Sequence, residues 1–348
     1  GQERKDKSMQ KNIIKLLAMI VAVILPGLTV IPANAQDVYS DTYTVAQDGT
    51  GDFTTIQSAI DACKSFPDTR ITIHVKNGVY KEKIRVPEHN TMLTLAGEDK
   101  YRAVITWGDY FGSVNRGKNS TFYTYTLMVE ANDFVAENLT IENSAGPVGQ
   151  AVALNVTGDR CVFRNCRILG NQDTLYAAGQ NSRQYYEECY IEGTTDFIFG
   201  AATALFERCT INSLKNSYIT AASTPQEKAY GFVFDHCTLT AAEGVDSVFL
   251  GRPWRDYART VFLNCTMGAH IRPEGWSDWK GTERTQTAYY AEYNNNGPGS
   301  SAKGRVKWSH QLTRKEAGKY TTGKILAPSA PEKPQVQQWI NITSQKQK

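Results

Sequence analysis

Two aspartates carry the strongest chemical signal in this 348-residue chain. Asp173 stands in the run Gly170-Asn171-Gln172-Asp173-Thr174-Leu175-Tyr176. Asp196 stands in Gly193-Thr194-Thr195-Asp196-Phe197-Ile198-Phe199-Gly200. Asp173 lies seven residues past Cys166, and Asp196 lies seven past Cys189. If those cysteines hold equivalent places in a repeat, both carboxylates fall on one face, about one coil apart. Neighbouring carboxylates do not titrate alike: one stays ionised while the other keeps its proton. Such a pair supplies a nucleophile and a general acid. Arg252, in Leu250-Gly251-Arg252-Pro253-Trp254, is a candidate to hold one aspartate ionised and orient it through two hydrogen bonds. Gln150 and Gln172 offer amide N–H groups to a developing oxyanion. Taken singly, either aspartate reads equally well as turn chemistry, Gln150 as a strand cap and Trp254 as core. Four polar groups and a tryptophan converging on one groove are not accounted for that way.

The elements that must position these groups come from an irregular repeat. Six segments, 134–141, 162–168, 185–191, 205–211, 233–239 and 261–267, share alternating apolar positions around one small residue. That residue is Leu139, then Cys166, Cys189, Cys209, Cys237 and Cys265, at steps of 27, 23, 20, 28 and 28. A period in the twenties built from short strands means one coil of a β-solenoid per repeat. The expected fold is therefore all-β, a parallel β-helix. Its five cysteines form an inward ladder of small apolar groups, since a free thiol packs well in such a core. Disulfides and a metal site are the rival readings. Spacing of one cysteine per coil, with no Cys-x-x-Cys, speaks against metal. Asn138, Asn165 and Asn264 precede the ladder position and suit left-handed turns. Residues 54–65 read as a short amphipathic helix capping the open end, with Ile56, Ala59, Ile60 and Cys63 on one face. First strands are expected at 71–75, 83–86 and 92–95, and a loop at 108–124. The repeat is lost from Gly281, and Asn294 to Gly299 form a turn cluster. The domain reading is one β-helix catalytic domain over 36–325, with an irregular tail over 326–348.

Residues 1–35 are set aside. Lys11 and Lys15 precede an apolar run over 16–31, and Ala33-Asn34-Ala35 follows, the order of a secretory signal peptide. Pro26 and Gly27 interrupt the run, which disfavours a membrane span. A secreted or periplasmic protein is expected, with no membrane partner after cleavage. Of the 38 Lys/Arg and 35 Asp/Glu, 1–35 hold five and two, leaving 33 of each. Residues 300–348 carry ten bases against two acids, so 36–299 has 23 against 31, a net −8. An acidic body argues against nucleic acid as partner. It also gives no general field to attract a polyanion, so any anionic substrate must be recognised locally. No Gly-x-Ser-x-Gly, His-Glu-x-x-His, phosphate-binding loop or zinc-type cluster occurs. The five histidines are scattered, and His74 and His236 fall within strand patterns, where a structural role is expected.

At these residues the chain resembles the pectin methylesterase family. The matching runs are Gly78-Val79-Tyr80-Lys81-Glu82, Gln150 to Leu154, Gln172 to Leu175, Asp196 to Gly200 and Leu250 to Trp254. The opening Asp48-Gly49-Thr50-Gly51-Asp52-Phe53-Thr54-Thr55-Ile56 is also similar, and the likeness covers about 43–290. The resemblance implies a right-handed parallel β-helix that removes methyl esters from pectin. It implies Asp196 as nucleophile, Asp173 as acid/base, Gln150 and Gln172 as oxyanion donors, and Arg252 as partner of the nucleophile. Trp254 is implied as a sugar-stacking residue, with Tyr176 and Phe199 as further contacts. No cofactor or metal is implied, and a monomer acting on a polysaccharide is expected. Three alternatives stay open: a polygalacturonate lyase or hydrolase on the same scaffold, another acyl esterase, and a non-catalytic carbohydrate-binding protein.

Overall fold

Alternation of apolar and polar residues in runs of three to five gives many short strands rather than a few long ones. The computed structural model describes residues 39–333 and 338–341. The signal-peptide reading of 1–35 lies outside them. The chain separates into two units, Gly1–Tyr39 and Ser40–Lys348, and the described architecture belongs to the second. Its described residues form three parallel sheets of eleven, eight and seven strands. The eleven-stranded sheet runs from Thr42–Val45 to His310–Gln311, the eight-stranded from Gly78–Lys81 to Thr266–Met267, and the seven-stranded from Ile84–Val86 to Phe249–Gly251. Each complete coil contributes one strand to each sheet, and the end coils contribute to fewer, which is the parallel β-helix that the repeat predicts.

Every repeat segment proves to be two strands joined by a two-residue corner, whose first residue is left-handed and whose second is the ladder residue. Val135–Glu137 and Thr140–Asn143 flank Asn138, which has φ of 54°, and Asn165 and Asn264 bend at 51° and 54°. The asparagines also bond one another along the stack: Asn165 Nδ2 donates to Asn138 Oδ1 at 2.7 Å, and Asn294 Nδ2 to Asn264 Oδ1 at 2.8 Å. Glu188, Arg208 and His236 take the same left-handed bend without an asparagine signal. His236 therefore sits in a bend, exposed, rather than in a strand.

Inside, each position repeats as a ladder. The thiols Cys166, Cys189, Cys209, Cys237 and Cys265 are all free and buried. Next to them Phe163, Tyr186, Phe206, Phe234 and Phe262 stack with centroids 5.0, 4.7, 4.5 and 4.4 Å apart. These are the favourable separations for aromatic pairs. The cap helix is Ile56–Ala62, with Thr55 accepting from Ser58 N and Ile56, Ala59 and Ile60 buried.

Four elements differ from expectation. Strands Gly78–Lys81 and Ala103–Trp107 were not anticipated. The coil pattern does not end at Gly281: Tyr289–Tyr293 pairs in register with Arg259–Leu263. The expected loop 108–124 contains a 3₁₀ helix, Gly117–Tyr123. Local bonds compact it, because Ser120 Oγ donates to Val114 O and accepts from Arg116 N. The tail region docks on the outer face of the long sheet. Trp339 is buried there, Arg183 pairs with Asp159 and Glu332, and Arg164 Nη2 donates to Ile340 O at 2.6 Å.

Candidate active site

The site grows out of the seven-stranded sheet. Leu154, Leu175 and Ile198 are neighbours in register on three successive coils. Asp173 and Asp196 each stand two residues ahead of Leu175 and Ile198, so the register sets them side by side. Both adopt left-handed backbone, φ 64° and 49°, a conformation in which aspartate is tolerated and which often marks functional positions. Asp173 N–H donates to Thr195 O at 3.1 Å, and Asp196 N–H to Tyr218 O at 2.9 Å. Gly193 lets the second turn close, since a Cβ there would meet Phe197 Cβ at 2.2 Å. One coil earlier, Gln150 bridges Gln172 in parallel fashion.

Arg252 arrives from two coils beyond Asp196. Its N–H donates to Thr220 O at 2.9 Å, and its side chain reaches back across that intervening coil. Nε lies 3.0 Å from Asp196 Oδ1 and Nη2 lies 2.6 Å from Oδ2, a two-pronged charged pair. The guanidinium is held between two rings, 4.0 Å from the Tyr218 centroid and 4.1 Å from that of Trp279. Tyr218 and Trp279 were not foreseen. No signal in the local sequence marks them, because the sandwich depends on the two-coil reach.

The two aspartates are 5% and 7% exposed. Burial lifts Asp173 well above the ordinary aspartate range, the Asp196 charge adds to the rise, and Gln150 and Arg252 oppose it only in part. Burial also lifts Asp196, but its hydrogen bonds and Coulomb attraction to Arg252 pull against the rise. The arrangement therefore separates the pair, with Asp173 holding its proton more tightly than Asp196 does.

These groups line a cleft of about 450 Å³ with Gln150, Gln172, Phe199, Arg252 and Trp254. Trp254 meets Phe199 edge-on at 5.7 Å. Tyr176 is not in this lining. It stacks behind Phe199 at 4.6 Å and opens on an adjoining hollow of about 440 Å³. The facing wall is Lys118, Asn119, Thr121 and Phe122 from the 3₁₀ segment, which sequence reasoning treated only as a loop. Lys118 and Arg255 are exposed on the rim, so this acidic body carries positive charge where a substrate would lie.

A family model described as Pectinesterase matches residues 42–329. The chain is 40% identical over 292 residues to Pectinesterase 31 of Arabidopsis thaliana, covering 82% of this chain and 92% of that protein. It spans about half the length of several other curated relatives, such as the probable pectinesterase/pectinesterase inhibitor 23 of the same plant. Among solved structures it is similar to the pectin methylesterase from carrot, at TM-score 0.77 and 33% identity over 82% of this chain and 92% of that one. It is also similar to a pectin methylesterase in complex with hexasaccharide VII, at TM-score 0.72 and 31% identity over 84% and 98%. These neighbours make the parallel helix right-handed. With the match running through the whole stack of coils that builds the cleft, the chain belongs to the pectinesterase family.

Proposed function

We propose that this chain hydrolyses the methyl esters of pectin, releasing methanol, through acyl transfer to Asp196 with Asp173 as acid and then base. The observation that carries the reading is the asymmetry of the pair: Asp196 is held by Arg252 while Asp173 is buried without a cation of its own. An Asp196 oxygen attacks the ester carbonyl carbon, and the amides of Gln150 and Gln172 receive the oxyanion. Collapse breaks the bond to methoxide, which takes the Asp173 proton and leaves as methanol. Asp173, now a carboxylate, accepts a proton from water as its oxygen attacks the acyl carbon. The Asp196 carboxylate departs back to Arg252, and Asp173 is again protonated. The sum is ester plus water giving acid plus methanol.

Sugar stacking is assigned to Trp254 and Phe199, with Tyr176 contributing where the chain leaves the cleft. The similar protein solved with a hexasaccharide supports a polysaccharide as substrate. Action as a monomeric, secreted or periplasmic enzyme, with 36–325 as its catalytic domain and 326–348 as a tail, completes the proposal. Measured on methylated pectin, methanol should match new carboxyl groups mole for mole while chain length stays constant. Unsaturated or shortened uronides without methanol would point instead to a lyase or hydrolase.

Arg252→Ala gives a separate test. Asp196 must be ionised to attack, and Arg252 is the group that opposes the upward push of burial. Removing it lifts the Asp196 pKa further, so the acid limb of the kcat/KM profile moves to higher pH. Rate at neutral pH should fall on the order of 10²-fold, the scale of a lost electrostatic contact in an acyl-transfer site. Methanol release followed across the pH range reads both effects.

A further inference from the structure

We infer that Asn143 is a positioning residue that fixes the place of Gln150, an inference that rests on the role proposed above for Gln150. Asn143 ends the strand Thr140–Asn143 and is 4% exposed. The acyl-transfer scheme gives it no part. Its Nδ2 lies 2.8 Å from Asp109 O, 3.1 Å from Thr124 O and 2.9 Å from Val152 O. Its Oδ1 accepts from Ala145 N at 3.0 Å. Two amide protons are thus shared among three carbonyls. Those carbonyls come from three stretches: the start of the segment that walls the cleft, its end, and the run that carries Gln150.

Further bonds tighten the same knot around Gln150. Phe111 N–H donates to Gln150 O at 2.8 Å, and Ala151 N–H to Gln172 O at 3.1 Å. Val152 N–H donates to Thr124 Oγ1 at 2.9 Å. The wall segment has its own clasp, because Lys83 Nζ binds both Asp109 and the Tyr123 carbonyl. What Asn143 adds beyond that clasp is the bond to Val152, two residues from Gln150. Few side chains can replace it. Serine is too short to span three carbonyls, leucine leaves all three unsatisfied, and an ionised aspartate has no donor. An oxyanion donor displaced by about 1 Å loses much of its effect, so a knot that fixes the main chain of Gln150 acts on the chemical step.

The test is a double-mutant cycle on methanol release from methylated pectin. Asn143→Ser should lower kcat about tenfold while KM changes by less than about threefold. In a Gln150→Ala background the same substitution should cost nothing further in kcat, because both act through one group. Thr124→Val removes the bond accepted from Val152 N and the one donated to Thr121 O while leaving Asn143 in place, and should show a smaller kcat loss that is likewise absent in that background. It decides the matter if Asn143→Ser fails to fold. A kcat loss that persists undiminished beside Gln150→Ala, or an effect confined to KM or melting temperature, would overturn the inference. Impaired Gln150→Ala beside a fully active Asn143→Ser would sink this inference alone. Full activity of Gln150→Ala would sink the donor role of Gln150 and this inference with it.

Discussion

Asp196→Asn releases methanol from pectin at least about 10⁴-fold more slowly than the parent chain, the scale on which loss of a nucleophile acts in acyl transfer. The reason is chemical rather than structural: an amide nitrogen or oxygen does not form the acyl intermediate. The substitution keeps an acceptor for Arg252 Nε, which lies 3.0 Å from Asp196 Oδ1. The guanidinium also stays clasped by Tyr218 and Trp279. The stability loss is therefore about 1–3 kcal/mol, that of one weakened charged bond. Asp196→Ala is the harsher variant, because it leaves the guanidinium without its carboxylate; breaking a buried pair costs about 3–5 kcal/mol. Circular dichroism and thermal melting of both variants separate lost chemistry from lost fold.

Asp173→Asn is the second large effect, with the opposite sign in stability. Loss of a general acid and base costs roughly 10²- to 10⁴-fold. An ester whose alcohol departs without a proton restores the first step but not the second, since water still has no base. Such a substrate gives a burst of alcohol equal to the enzyme present, followed by slow turnover. Stability moves the other way. The folded state raises the Asp173 pKa, so it binds that proton more tightly than the unfolded chain does. As pH rises above the ordinary aspartate range the wild type therefore loses stability. An amide at this position does not titrate. Asp173→Asn should melt higher than wild type at neutral pH, and the gap should close on acidification below that range.

The repeat is legible because it is written in side chains that pack on their own copies. Cys166, Cys189, Cys209, Cys237 and Cys265 form the expected buried ladder, and Asn138, Asn165 and Asn264 make the expected left-handed bends. Asp173 stands beside Asp196, as their equal phase from Cys166 and Cys189 predicts, since register in a parallel stack carries one coil onto the next. Reading failed where a residue type carries no signal of its place or a feature has no partner in the repeat. Glu188, Arg208 and His236 bend like the asparagines, yet their types carry no turn signal. Tyr289–Tyr293 continues the long sheet without the cysteine that marks earlier coils. The wall of Lys118, Asn119, Thr121 and Phe122 lies in a connection without periodicity, held by bonds to distant residues such as Lys83 and Asn143. The Tyr218 and Trp279 sandwich around Arg252 is a contact across coils, which spacing along one coil does not encode.

In the proposed mechanism the substrate acyl group passes through a covalent bond to Asp196 while Asp173 manages the protons. Asp173→Asn mixed with an activated ester of polygalacturonate, quenched in acid during the burst and examined by peptide mass spectrometry, tests it most directly. The expected result is a uronyl adduct on the peptide bearing Asp196. An alcohol burst with the adduct on any other residue, or with none on the Asp196 peptide, would contradict it.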